Sequence, residues 1–132
     1  MTREKPLILL VDDDRDFRDS TAEVLMASGF DVAPATNGEE GINKAETLLP
    51  DLILMDIKMP VMNGVDAALK IKQNPKTSDI KIAFLTGWDN PWPAIVGEKS
   101  DVAKELGMED YIKKTEDPKK LVEKVKGFLG IV

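Results

Sequence analysis

Residues 51–64 read DLILMDIKMPVMNG, a short apolar run that ends in an aspartate and is followed by a turn-forming segment. The run 52–55 is apolar at every position, as expected of a strand that is covered on both faces. Such strands are typical of parallel sheets, in which helices pack on both sides. We therefore predict that 52–55 is a central strand and that Asp56 lies at its carboxyl end.

The rest of the chain alternates between strand-like and helix-like segments, the pattern of βα units and a parallel sheet. We count five of each, and the other strands are predicted over 7–11, 31–35, 81–85 and 111–112. Pro34 cannot donate to a ladder, so its strand is predicted at an edge. With right-handed crossovers the pattern is consistent with an α/β, flavodoxin-like, doubly wound sheet of five parallel strands in the order 2-1-3-4-5. The first and fifth helices would then cover one face, and the second to fourth helices the other.

Several residues predict where helices begin and end. Asp14 or Asp16 would cap a first helix over 15–28, and Gly29 would end it in a left-handed conformation. The third helix is predicted to turn Val65, Ala68 and Leu69 inward. A capping box of Asn37 with Glu40 would begin the second helix. The other expected helix boundaries are Pro50, Asn63-Gly64, Pro75, Gly107 and Asp117-Pro118.

Length and composition narrow the class of protein. The 132 residues suit one domain over 1–132, because a domain of this size hides about two-thirds of its unfolded surface. The chain has no cysteine and no histidine, which excludes disulfides, thiolate metal sites and imidazole bases. The apolar run near the N-terminus is too short for a signal peptide or membrane span, so we expect a cytoplasmic protein without a membrane partner.

Charge is unevenly distributed along the chain. The net charge is −6, and the first 60 residues hold 13 acidic and 6 basic side chains. An acidic first half argues against a nucleic-acid footprint there, so we expect no direct binding of nucleic acid.

Polar side chains follow four of the five predicted strands. Asp12 and Asp13 come after the first strand, Asp56 after the third, Thr86 after the fourth and Lys114 after the fifth. Each alone has an ordinary explanation as a helix cap, turn residue, strand end or solvated cation. Because parallel strands end at one edge of the sheet, together they predict a shared pocket.

The predicted pocket has the groups required to accept a phosphoryl group. Up to three carboxylates in one place are tolerable only if they are protonated or bind a cation, and Mg²⁺ suits oxygen ligands and phosphate. Asp56 would be the nucleophile, while Lys114 and Thr86 would bind the oxygens of the incoming group. The product would be an aspartyl phosphate.

The segments LILLVDDD, DLILMDIKMPVMNG, IAFLTG and DYIKK, in this order and spacing, resemble the receiver domain of bacterial two-component response regulators. The resemblance covers essentially the whole chain, and its middle motif is the most specific. It implies that Asp56 is the phosphoacceptor and that Thr86 and Tyr111 form a conformational switch. The other roles it implies are an acidic metal pair of Asp12 and Asp13, a metal ligand through the Lys58 backbone carbonyl, and an active-site lysine at Lys114.

By this resemblance the domain accepts a phosphoryl group from a histidine kinase or phosphotransfer protein in a Mg²⁺-dependent reaction. It then changes conformation to control a downstream protein or effector domain. It would be a signalling domain and not an enzyme, apart from self-catalysed phosphotransfer and dephosphorylation. A stand-alone regulator and a receiver taken from a longer protein fit the sequence equally.

The sequence departs from the family pattern in three respects, and the first two concern the last third of the chain. Thr115 replaces the usual proline after the lysine, and neighbouring Lys113 competes for the role of Lys114. Alternation along the strand points these lysines to opposite sides, and the spacing from Tyr111 selects Lys114. The 24 residues between Thr86 and Tyr111 exceed the family spacing by about two helical turns.

The extra residues include Trp88 and Trp92. We expect both to pack as a lid over the core, with an exposed docking patch as the alternative. In the family, the positions of Trp88 and Lys58 modulate phosphate lifetime, so Trp88 is a candidate shield for the acyl phosphate.

Two other functions remain open from the sequence. A haloacid-dehalogenase-type phosphatase would use Asp12 as nucleophile and Asp14 as its second aspartate. Asp16 is not the residue usual at its position in such phosphatases, and their late acidic motif is missing from this sequence. A receiver-like interaction module without phosphate turnover is the second alternative. The full set of acidic, hydroxyl and lysine residues disfavours it.

Overall fold

The computed structural model describes residues 4–87, 110–114 and 117–131 of the chain. These residues form a sheet of five parallel strands and four helices. In chain order the elements are β1 (Leu7–Val11), α1 (Arg15–Ala27), β2 (Asp31–Ala35), α2 (Gly38–Leu48), β3 (Leu52–Asp56), α3 (Gly64–Gln73), β4 (Lys81–Thr86), β5 (Asp110–Lys113) and α4 (Pro118–Phe128). None of these described helices is long and apolar enough to cross a membrane.

The strand order is β2-β1-β3-β4-β5, as predicted. β3 lies between β1 and β4, and all five of its residues are buried, which confirms its central position. Among the described strands β2 pairs with β1 alone, so Pro34 lies on an edge strand. A proline is tolerated there, because its missing N–H is not needed by a second neighbouring strand. This order aligns the carboxyl ends of β1, β3 and β4 side by side.

Two apolar clusters cover the two faces of the sheet. One joins α2 and α3 to alternate strand residues such as Leu9, Ile53 and Phe84. The other joins α1 and α4 to the intervening residues, including Leu10, Leu54 and Leu85. The period of two along each strand therefore assigns neighbouring residues to opposite cores. The helix named α4 is the one that the sequence predicts as the fifth. The described helices therefore lie on the faces of the sheet that were predicted for them.

The helix ends follow the predicted chemistry. Asp14, and not Asp16, caps α1 by accepting hydrogen bonds from the N–H groups of Asp16 and Phe17, and Gly29 adopts a φ of +98° after its end. Asn37 accepts from the N–H of Glu40, whose carboxylate in turn accepts from the N–H of Thr36. These bonds satisfy N–H groups that a helix start leaves without intrahelical partners.

Some boundaries and burial differ in detail from the sequence predictions. β3 and β4 each extend one residue further, so that Asp56 and Thr86 are the last residues of their strands. In α3 the fully buried positions include Ala67 and Ile71, while Val65 and Leu69 are only partly buried. The predicted fourth helix around 102–107, the two tryptophans and Thr115 lie outside the described residues.

The connection from β3 to α3 approaches the sheet closely at Gly64. Its N–H donates to the carbonyl of Ile57 over 2.8 Å. A Cβ at Gly64 would lie 2.0 Å from the backbone oxygen of Asp56 and 2.9 Å from the Cα of Ile57. Only glycine therefore fits here, and its backbone fixes the position at which β3 ends.

We predict that Gly64→Ala lowers the free energy of unfolding by about 2 kcal/mol or more, because the backbone of Asp56 must move to admit a methyl group. Gly127→Ala is the matched control, since a Cβ at that helical position has nothing within 4 Å. It should raise stability by about 0.5–1 kcal/mol. Urea unfolding of both variants measures the difference, and equal stabilities would contradict this account of Gly64.

Candidate functional site

The carboxyl end of the sheet brings the predicted polar residues together. The N–H of Asp12 donates to the carbonyl of Ala35 over 3.0 Å, and the N–H of Lys114 donates to the carbonyl of Thr86 over 2.9 Å. Backbone hydrogen bonds therefore continue just past the strand ends and fix where Asp12 and Lys114 leave the sheet. The strand ladder itself holds Asp56 and Thr86.

Lys114 joins the two buried carboxylates. Its Nζ lies 2.8 Å from Oδ2 of Asp12 and 3.3 Å from Oδ2 of Asp56. Asp12 is completely buried and Asp56 is 3% exposed. Bulk water therefore cannot replace the ammonium as the partner of either carboxylate. Lys113, the competing lysine, is exposed, so the structure brings the residue selected by the Tyr111 spacing into the pocket.

Asp13 completes a cluster of three carboxylates. One carboxylate oxygen from each of Asp12, Asp13 and Asp56 lies within 4.8 Å of the others, and Asp13 is the exposed member. Three oxygen donors at such distances can converge on one ion, with the exposed side left to water. The donor set contains oxygen alone, as a hard divalent cation requires.

The pKa values of the two buried carboxyls, Asp12 and Asp56, are raised mainly because burial disfavours their charged forms. Burial raises the pKa of Asp56 to about 7, and the nearby charge of Asp12 adds to the rise despite the opposing effect of Lys114. Burial also raises the pKa of Asp12. Burial alone would lower the pKa of Lys114, but its contacts with both carboxylates outweigh this and raise it. The single ammonium therefore does not fully offset the effect of burial on these two carboxyls.

The first turn of α1 holds the acidic loop in place. Oδ1 of Asp12 accepts a hydrogen bond from the N–H of Asp14 over 2.8 Å. The Arg18 guanidinium donates to the backbone carbonyl of Asp12 over 2.7 Å. The sequence interpretation did not single out Arg18, because an arginine on a helix usually indicates only a solvated face. In the sequence, the one indication of this contact is that Arg18 lies in the first helical turn after the acidic loop.

Thr86 and Tyr111 lie on the neighbouring strands β4 and β5. The Thr86 hydroxyl is buried and has no hydrogen-bond partner within the described part of the chain. Tyr111 pairs with Phe84, packs partly buried against the core formed with α2 and α3, and has the Lys124 ammonium 5.9 Å from its ring centroid. An unpaired buried hydroxyl costs free energy, so a new acceptor in the pocket would attract it.

The remaining site predictions have different outcomes. Lys58 is exposed after β3, and the proposed role of its backbone carbonyl stays a prediction. The proposed lid of Trp88 and Trp92 lies outside the described residues. One contact of the pocket was not among the predicted site residues: the Phe17 ring on α1 lies beside the ammonium of Lys114.

The strand order and this pocket define a flavodoxin-like α/β domain with an acidic site at the carboxyl edge of its sheet. The family described as the response regulator receiver domain matches residues 8–126. The chain therefore belongs to this family of phosphoacceptor signalling domains of two-component systems.

Relatives of known name and structure agree with this family. The chain is 34% identical over 122 residues to the alkaline phosphatase synthesis transcriptional regulatory protein PhoP of Bacillus subtilis, covering 92% of this chain and 48% of PhoP. The identity is also 34% to the DNA-binding response regulator MtrA of Mycobacterium tuberculosis, covering 92% and 50%. The chain thus spans about half the length of these curated relatives.

Solved structures show the same fold. A putative response regulator from Chloroflexus aurantiacus superposes with a TM-score of 0.83 at 30% identity, covering 96% of this chain and 99% of that one. A CheY-like response regulator receiver domain protein from Methanospirillum hungatei gives 0.82 at 31% identity, covering 96% and 95%.

We predict that Asp56→Asn stabilises the metal-free protein at pH 8 by on the order of 1–3 kcal/mol, because the amide buries no charge. The groups facing Asp56 are Asp12, Asp13 and Lys114. Its pKa is about 7 when folded and 3.8 ordinarily, so the folded protein holds a proton that the unfolded chain releases between these values. The parent therefore loses stability as the pH rises through this window.

Urea unfolding in a chelating buffer between pH 4 and pH 8 measures this effect. The advantage of Asp56→Asn should shrink towards pH 4, where the parent carboxyl is neutral. Asp79→Asn makes the same chemical change at an exposed position before β4 and should have little effect. A variant no more stable than its parent at pH 8 would contradict a cost of burying the ionised Asp56 carboxylate.

Proposed function

We propose that residues 1–132 form a single receiver domain in which Asp56 accepts the phosphoryl group. The observation that carries this proposal is the Asp56 carboxylate, buried at a strand end, 3.3 Å from the Lys114 ammonium and beside two further carboxylates. The phosphodonor is a histidine kinase or a phosphotransfer protein. The product controls a downstream protein or effector domain through a change of conformation.

The transfer step exchanges one bond to phosphorus for another. A carboxylate oxygen of Asp56 attacks the phosphorus of a phosphohistidine, and the P–N bond breaks with its electron pair leaving on the imidazole nitrogen. The Lys114 ammonium binds an oxygen of the moving group, and the Thr86 hydroxyl donates to another. Burial excludes water from this exchange, which strengthens both contacts.

The geometry favours Asp56 over Asp12 as the nucleophile. Oδ1 of Asp12 accepts from the N–H of Asp14, and its Oδ2 faces Lys114 at 2.8 Å. One oxygen of this fully buried side chain therefore accepts a hydrogen bond and the other is ion-paired. This arrangement, together with the receiver family match, supports the receiver over the phosphatase alternative, which requires attack by Asp12.

The acidic cluster fits Mg²⁺. Asp12, Asp13 and Asp56 would hold it with the Lys58 backbone carbonyl, and these three carboxylates outnumber the one ammonium that contacts Asp12 and Asp56. When bound, the ion supplies positive charge that compensates the carboxylates and the phosphoryl oxygens. Asp12 and Asp56 bring their oxygens from strand ends fixed by the sheet, so two of the ligands are preorganised.

Thr86 and Tyr111 are proposed to convert phosphorylation into a change of shape. A phosphoryl oxygen on Asp56 offers an acceptor to the buried Thr86 hydroxyl. Movement of Thr86 towards the pocket would release space beside β5, which Tyr111 could enter from its partly buried position. Such a movement changes the surface formed by β5 and α4.

We place this domain in the cytoplasm as a signalling domain, with no catalysis beyond its own phosphorylation and dephosphorylation. We propose that it makes no direct contact with nucleic acid, and the excess of acidic residues in its first half supports this. The name of MtrA assigns DNA binding to that protein, which is about twice the length matched by this chain.

Incubation with Mg²⁺ and phosphoramidate is predicted to add one phosphate to the parent and none to Asp56→Asn. Intact mass measures the addition, and borohydride reduction followed by peptide mapping locates the modified residue. Asp79→Asn serves as the control and should be phosphorylated like the parent. Label on Asp12, or full labelling of Asp56→Asn, would overturn the assignment of Asp56.

We predict that Thr86→Ala remains phosphorylated but loses about half or more of the conformational response. NMR shifts of the Tyr111 ring, before and after phosphorylation, measure that response. Thr77→Ala removes an equally buried hydroxyl between α3 and β4 and should respond as the parent does. A normal response in Thr86→Ala would exclude the coupling through this hydroxyl.

A further inference from the structure

The ammonium of Lys114 has an aromatic neighbour as well as its two carboxylates. Its Nζ lies 4.8 Å from the ring centroid of Phe17, within the range of a cation–π contact. The side chain is 19% exposed, so it has given up much of its hydration. The π face of Phe17 therefore replaces part of the water that a lysine normally keeps.

Lys114 also borders a gap between α1 and α4. The gap holds about 270 Å³, and its lining is mostly apolar: Phe17, Ser20, Thr21, Val24, Lys114, Pro118 and Leu121. A flexible four-carbon stem beside such a space has room for other rotamers. Attraction by Asp12 and Asp56 fixes the direction of the charge but does not fill this space.

Phe17 is well placed to restrict these rotamers. Its N–H donates to Oδ1 of Asp14 over 3.3 Å, so its backbone belongs to the capped first turn that follows the acidic loop. The adjacent Arg18 ties the same turn to the carbonyl of Asp12. The Phe17 ring and the Asp12 carboxylate therefore come from one hydrogen-bonded segment, and both lie close to the same ammonium.

We propose that Phe17 is a positioning residue for phosphoryl transfer, which holds the Lys114 ammonium between Asp12 and Asp56 through its π face. This inference rests on the proposed function of Asp56 and Lys114. Phe17 does not contact the reacting atoms. It acts by limiting the space in which the ammonium can move before the phosphoryl group arrives.

The comparison of Phe17→Leu with Phe17→Tyr tests this role. Leucine keeps an apolar side chain in the gap but has no π face, whereas tyrosine keeps the ring. Phosphorylation by phosphoramidate and Mg²⁺ should slow by about 3- to 30-fold in Phe17→Leu and stay within about twofold of the parent in Phe17→Tyr. Phe30→Leu makes the same change at a buried site before β2 and should leave the rate unchanged.

NMR provides a readout that does not depend on activity. Protons on Cε of Lys114 lie near the aromatic face and should carry an upfield ring-current shift in the parent and in Phe17→Tyr. Phe17→Leu should lose that shift. If Phe17 had a purely structural role, Phe17→Leu would be less stable. The loss of the Lys114 shift would then not be accompanied by slower phosphorylation.

The possible outcomes separate the two proposals. A parent that phosphoramidate does not phosphorylate overturns the proposed function, and the role of Phe17 with it. A phosphorylated parent with equal rates in Phe17→Leu, or with equal losses in Phe17→Leu and Phe17→Tyr, overturns the role of Phe17 alone. If Phe17→Leu does not fold, Phe17→Met makes the same test with a more adaptable side chain.

Discussion

The interaction on which the site depends is the burial of two carboxylates against one ammonium. Asp12 and Asp56 share Lys114, and the neighbouring Asp13 adds a third negative group at the rim. Such burial is costly, because removing charges from water is repaid only by close partners. The fold tolerates it because packed strands hold the groups in place, and the raised pKa of Asp56 is the remaining sign of the cost.

The parallel sheet makes this concentration of charge possible. β1, β3, β4 and β5 end at the same edge, so residues distant in sequence meet without a dedicated loop. The backbone itself is part of the site at Gly64, which lies against Asp56 so closely that a methyl group cannot be accommodated. A change that disturbs the packing of Gly64 would therefore also move the backbone that carries the Asp56 carboxylate.

The sequence predicted the strands and the convergence of the site, and it was consistent with the observed strand order without determining that order uniquely. Apolar runs identified the strands, Pro34 marked an edge, and a parallel arrangement alone brings Asp56 and Lys114 together. The partners of Lys114 and Asp12 on α1 could not be predicted in the same way. The contacts of Phe17 and Arg18 depend on the rotation of α1 about its axis and on side-chain rotamers, and a hydrophobic or basic residue on a helix has many other uses. Resemblance alone assigned Tyr111, because its packing depends on the local surroundings of β5.

The formal charges of the pocket indicate how it would respond to a cation and to phosphorylation. Three ionised carboxylates and one ammonium leave two negative charges, which is the charge that a divalent cation compensates. Replacing the Asp56 carboxylate by an acyl phosphate adds roughly one further negative charge at pH 7. A nearby donor without a partner would then gain a charge-assisted hydrogen bond by turning towards it, and the buried hydroxyl of Thr86, on the adjacent strand end, is such a donor. In the proposed mechanism, a pocket whose carboxylates are already compensated would respond to the added charge by moving Thr86, and that movement would reach Tyr111 on the next strand.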